Sequence, residues 1–136
     1  MEPESTFMRS VAIEELEKHG VDLVLCGHNH SYGRTHLLNG HYGESTTFEL
    51  GIHEVSRATS APSVYRKQPG RGAGTGSMYV VAGCSGKLEE KPLDHPAMAV
   101  KLNVAGSVVL DIDDNKLDFH FVDESGVSRD SFRILK

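Results

Sequence analysis

A layered α/β fold is what this sequence predicts, on three observations. Residues 6–18 repeat apolar side chains at helical spacing: Phe7, Met8, Val11, Ala12 and Leu16. Residues 21–26 follow after a very short joint, as an apolar run of the kind found in a strand buried on both faces of a parallel sheet. From Met78 onward the texture turns to alternation broken by turn residues, the signature of an antiparallel β-meander.

The predicted helix carries Glu14, Glu15, Glu17 and Lys18 mostly on its far, solvent side. Ser5 or Thr6 can cap its start, and Gly20 can end it in a left-handed conformation. After Cys26, residues 34–38 and 46–50 are expected to be short strands around Asn39-Gly40, a strong hairpin signal. Residues 51–77 hold Pro62, Pro69 and a glycine-dense run from Gly70 to Gly76, and read as an irregular surface loop or one bordering a site. That run is no phosphate-binding loop, because no Gly-Lys-Ser/Thr follows it. The expected meander strands are 78–82, 99–103, 107–112, 116–122 and 130–135, with Leu117, Phe119 and Phe121 on the buried face. The chain thus divides into 1–50, 51–77 and 78–136.

A chain of 136 residues can bury about two thirds of its unfolded surface, enough for one core. A formal net charge of −5 excludes a broad phosphate-backbone footprint, so no nucleic-acid partner is expected. No apolar run is long enough to span a bilayer, and Met1-Glu2-Pro3-Glu4 lacks the start of a signal peptide, so no membrane partner is expected either. Cys26 and Cys84 are too few for a disulfide framework. Both end apolar runs and read as buried thiols, with a bridge between them as the alternative.

Gly27-His28-Asn29-His30 carries the most chemistry. It lies at the carboxyl end of strand 21–26, where parallel sheets bind their ligands. In extended backbone, residues i and i+2 face the same way, so His28 and His30 are candidate metal ligands. The bland alternative is a pair of satisfied surface histidines on a tight turn. Tyr32 and Arg34 are candidate substrate-binding groups, Arg34 through a phosphate oxyanion or, instead, as a structural ion pair holding the loop. His95 is a candidate catalytic residue, or equally a loop anchor bonded to nearby backbone. His36, His41 and His53 have no partner at ligand spacing and read as surface residues.

These residues belong to a longer likeness. Gly27-His28-Asn29-His30-Ser31-Tyr32-Gly33-Arg34-Thr35 resembles the last motif of the calcineurin-like metallophosphoesterases. The likeness is to the purple acid phosphatase branch, where Gly-His-x-His is followed by an aromatic residue, Glu and Arg. Tyr79 to Lys87, Asp94 to Met98 and Gly106 to Asp111 also resemble that branch's C-terminal region. Gly33 departs from the pattern, standing where the family carries an acidic residue. The family's upstream motifs are not found; Asp118-Phe119-His120 and Asn39-Gly40-His41 have some of their letters in the wrong place or order.

The resemblance implies the C-terminal part of a layered metallophosphoesterase β-sandwich flanked by helices, ending in the meander. It implies metal-dependent hydrolysis of phosphoric esters by a longer protein at a dinuclear site of divalent or trivalent ions: zinc, iron or manganese. His28 then takes the place of a ligand to one metal and His30 of a ligand to the other. The implied partners are a phosphate ester substrate and a missing N-terminal half of the same fold. Without that half, association into a homo-oligomer is expected. Two alternatives stay open: a non-catalytic binding or assembly module, and a single metal held by His28, His30 and a third ligand such as His95.

Overall fold

A computed structural model describes residues 7–56, 58, 63–69, 72–90 and 93–136. The expected caps at Ser5 and Thr6, and Gly70-Arg71, lie outside the described residues. The first helix contains a π-helical turn, Arg9–Ile13, that runs into α1, Glu14–Lys18. Gly20 ends it at φ +66°, as expected. Val21 N–H donates to Leu16 O and Gly20 N–H to Glu17 O, each at 3.1 Å, which together make a Schellman closure.

The helix faces the sheet with a different side from the one its pattern suggests. Glu17 is 4% exposed, while Phe7 is 64% exposed and Met8 and Val11 are exposed too. Three donors account for this: Tyr79 OH at 2.7 Å, Gly40 N–H at 2.8 Å and Tyr42 OH at 3.1 Å all reach the Glu17 carboxylate. A buried carboxylate with three hydrogen bonds is a satisfied one.

The first sheet contains β1 (Leu23–Cys26), β2 (Tyr32–Leu38), β3 (Glu54–Ser56), β5 (Ser77–Ala82) and β6 (Met98–Leu102). Its order is β1-β5-β2-β3, with β6 also paired to β2. β1 runs parallel to β5, as a buried parallel pair predicts, but among the described residues it is an edge strand, and Leu25 and Cys26 are exposed. The second sheet has the order β4-β9-β8-β7, from β4 (Ser63–Arg66), β7 (Gly106–Asp113), β8 (Lys116–Asp123) and β9 (Ser128–Leu135). The meander is therefore three strands, β7 to β9; β5 and β6 belong to the other sheet. β4 pairs parallel with β9 inside the segment read as irregular loop.

Residues 46–50 form no strand. A 3-10 turn, Ser45–Thr47, and a single helical turn, α2 (Leu50–His53), replace it. Gly40 has the turn's positive φ of 79°, but its N–H is held by Glu17, so the turn docks on α1 instead of closing a hairpin. The excursion closes later, where Asn39 N–H donates to His53 O at 2.9 Å and β3 pairs with the end of β2.

The two sheets meet face to face over Tyr32, Leu37, Met78, Val80 and Cys84 on one side and Tyr65, Phe119, Phe121, Phe132 and Ile134 on the other. Tyr32 stacks on Phe121 at 4.0 Å and Phe119 on Phe132 at 4.4 Å. Cys26 and Cys84 are both free thiols, the first exposed and the second buried, so the bridge considered between them is not formed. Among the described residues no helix is long and apolar enough to cross a membrane.

Candidate metal centre

Parallel pairing of β1 and β5 brings the loops that leave their carboxyl ends side by side. The first loop is Gly27 to Ser31. It is a turn and not an extended segment, which corrects the i, i+2 argument for its histidines. Asn29 N–H donates to Gly27 O at 2.9 Å, and His28 between them has φ +70°. An i to i+2 hydrogen bond around a positive φ is a γ-turn of the strained kind. Non-glycine residues in such conformations persist only when their surroundings fix them.

Gly83, at the start of the loop after β5, is part of that surrounding. A Cβ there would strike the Asn29 carbonyl oxygen, and would lie 3.0 Å from Asn29 C and 3.3 Å from His28 N. These are backbone atoms, so the close approach requires glycine. Ser31 Oγ donates to Asn29 Oδ1, bracing the turn from its other end. The result is an exposed His28 on a fixed, strained corner.

His30 is held by the loop after β5. Glu89 N–H donates to His30 O at 3.0 Å, and Glu89 Oε1 lies 3.0 Å from His30 Nδ1. The side-chain contact is close but off-line, and among the described residues His30 Nδ1 makes no aligned hydrogen bond. Asn103 Nδ2 donates to Glu89 O at 2.9 Å, anchoring the carrier of that carboxylate. Beside it, Asn29 and Lys87 to Glu90 line an open groove of about 460 Å³.

Tyr32 and Arg34 turn away from this surface into the sandwich. Arg34 is 3% exposed and grips Asp130 of β9 with two nitrogens, Nε at 2.6 Å and Nη2 at 3.1 Å. Tyr32 OH donates to the same carboxylate at 2.6 Å. Arg34 Nη1 donates to Tyr65 OH at 2.9 Å, and His36 Nδ1 lies 2.8 Å from that hydroxyl. The guanidinium is thus a structural ion pair between sheets, and neither side chain offers a polar group to a substrate at this surface. His36 is part of the same network and not a bare surface residue.

His95 anchors its own loop: Ala97 N–H donates to His95 Nδ1 at 3.1 Å. Its ring lies 6.1 Å from Phe48, which His41 and His53 also contact at 5.2 and 5.6 Å. These contacts place His95 with His41 and His53, which sequence spacing left as separate surface residues. Gly33 accommodates the same loop, since a Cβ there would lie 2.9 Å from Leu93 Cδ1 and 3.1 Å from Met98 Sδ.

Two imidazoles on adjoining positions, one pinned by a strained turn and one with Nδ1 facing a carboxylate, are nitrogen donors of the type that zinc, iron and manganese accept. They fit part of a metal site. Among the described residues no three His, Cys, Asp or Glu side chains converge to hold an ion, so His95 does not complete a mononuclear set with His28 and His30. Glu89 was missed in the sequence because Lys87-Leu88-Glu89-Glu90 looks like any solvated charged run. Gly83 and Asp130 were missed because their partners lie far away along the chain.

No protein-family model matches the sequence, and no curated protein matches it significantly. Among solved structures, the chain is similar to the purple acid phosphatase PPD1 isolated from seeds of yellow lupin, Lupinus luteus. The TM-score is 0.59 at 21% identity, over 99% of this chain and 20% of that one. The chain therefore shares a fold with a fifth of that protein's length.

Proposed function

We propose that this chain is the C-terminal portion of a metal-dependent phosphoesterase. His28 and His30 supply one ligand to each of two metal ions, and the remaining ligands come from an N-terminal half of the same fold. The observation that carries this reading is the strained γ-turn at His28, fixed by Gly83 at the carboxyl end of a parallel strand. Its likeness in fold to a purple acid phosphatase supports it. When bound, the metal pair supplies charge to a phosphate ester and activates the attacking water. The chain's own residues orient the imidazoles: Gly83 sets the turn, and Ser31 and Glu89 brace it.

In this reading the proposed N-terminal half has a place to go. β1 exposes Leu25 and has one unpaired edge among the described residues. Leu110 and Ile112 of β7 alternate onto the same face as Val108, which packs on the core, yet Ile112 is 66% exposed. A continuation of the first sheet beyond β1 covers Leu25.

The test is turnover of an aryl phosphate with zinc, manganese or iron supplied. Residues 1–136 alone are expected to have negligible activity, because positioning and charge stabilisation both need the absent ligands. The longer protein is expected to be active and to lose activity on His28→Ala or His30→Ala. Robust turnover by residues 1–136 that both substitutions abolish would sink the fragment reading. A non-catalytic binding or assembly module is the second reading, favoured by the burial of Arg34 and Tyr32 away from the surface. An inactive longer protein that still binds phosphate esters selects it.

A further inference from the structure

We propose that Glu89 is the positioning residue of His30: its carboxylate accepts the Nδ1 hydrogen and leaves the lone pair on Nε2, facing outward to a cation. This rests on the metal reading above and adds a residue to it. Three contacts carry the assignment. Glu89 Oε1 is 3.0 Å from His30 Nδ1. The backbones of the two residues are joined by the Glu89 N–H to His30 O hydrogen bond at 3.0 Å. Asn103 then holds Glu89 from behind through its carbonyl. Glu89 is therefore brought to the imidazole by main-chain contacts, and its carboxylate is not a drifting surface charge.

The off-line approach of Nδ1 to Oε1 is a small obstacle. The last torsions of His and Glu are broad and soft, so a modest rotation of either aligns the bond. Among the described residues no other aligned partner competes for Nδ1, which is shielded from solvent. The imidazole and carboxylate are 34% and 40% exposed, so the remainder of the ring is open where Nδ1 is not. A carboxylate on one ring nitrogen fixes the tautomer and raises the basicity of the other, which is how ligating histidines are commonly oriented.

The experiment reads the tautomer directly in the metal-free chain. Long-range ¹H–¹⁵N correlation at alkaline pH, where imidazole is neutral, is expected to show His30 protonated at Nδ1. Glu89→Ala is expected to move that proton to Nε2 with the backbone amide spectrum otherwise preserved. Glu89→Gln keeps the shape and an acceptor oxygen, and is expected to retain Nδ1–H. An Nε2–H tautomer in the unsubstituted chain, or no change in Glu89→Ala, overturns the proposal. Zinc titration of the same resonances separates it from the metal reading. Zinc is expected to perturb His30 Nε2 and to bind roughly 10–100-fold more weakly to Glu89→Ala. If zinc moves neither His28 nor His30 while the tautomer result holds, the metal reading falls and the orientation by Glu89 stands. If zinc binds Glu89→Ala as tightly as the unsubstituted chain, Glu89 has no role in presenting His30.

Discussion

Gly83 decides how closely the two loops of the site approach. The atoms it faces are the backbone of His28 and Asn29, which cannot swing aside as a side-chain tip can. Gly83→Ala is therefore expected to cost about 1–3 kcal/mol in urea unfolding and to shift the amide resonances of residues 27–31. An unchanged spectrum would show that the γ-turn does not depend on it. Asp130 is a second single residue with large leverage, because Tyr32 OH and Arg34 Nε and Nη2 all donate to it. Removing it leaves a buried guanidinium without its counter-charge. Asp130→Ala is expected to destabilise the chain by about 3–5 kcal/mol, measured by urea denaturation. Arg34→Met with Asp130→Leu is expected to recover much of that loss, since a well-packed apolar pair replaces the ions. A double substitution no better than Asp130→Ala would assign the cost to packing.

Whole elements were legible where one local pattern decided the outcome. β8 alternates because one face meets the core and the other meets water, and Phe119 and Phe121 are fully buried as their alternation requires. The end of the first helix was legible because the closure at Gly20 is local. β3 and β4 were not, because each is a strand only through pairing with a distant partner. The helix's buried face was misread because hydrophobic periodicity treats Glu17 as solvent-facing and cannot foresee Tyr42, Tyr79 and Gly40 converging on it. The place of Gly27-His28-Asn29-His30 just after a parallel strand was legible in the same local sense; the γ-turn at His28 and the contact of His30 with Glu89 were not. A pH dependence is expected of the loop elements around Phe48. Burial, with Arg9, His41 and Lys101 nearby, holds the His95 imidazole below its ordinary value; burial and the His53 ring do the same for His41. Each base binds fewer protons folded than unfolded near pH 6.5. Its contribution is full above that pH and is lost as pH falls through the depressed folded value. Thermal melts are expected to weaken between about pH 7.5 and about pH 5.5, and His95→Asn, which keeps an acceptor for Ala97 N–H, is expected to flatten that slope. Equal slopes would remove His95 from the account.

At the scale of the whole molecule, Phe7, Met8 and Val11 on the helix and Leu25, Leu110 and Ile112 at the sheet edges are exposed apolar surface among the described residues. Residues 1–136 are expected to associate in sedimentation velocity, and Leu110→Lys with Ile112→Lys to reduce association. A monomer with one cooperative transition would show that these edges need no partner. The position of β9 has a different consequence, for the order of synthesis. β9 is the last of the described elements, yet it lies inside its sheet, between β4 and β8. It also brings Asp130 and Phe132 to the core. A ribosome delivers β4 long before its partner exists, and the first sheet can assemble from β1, β2, β5 and β6 while the second still lacks its middle. The nascent chain must therefore hold Tyr32 and Arg34 without Asp130, and Tyr65 without its neighbouring strand, until β9 arrives. Pairing across so long a separation is slow, and an unfinished strand slot is an opening to any other extended segment. The interval between the making of β4 and the insertion of β9 is therefore an opening for misassembly.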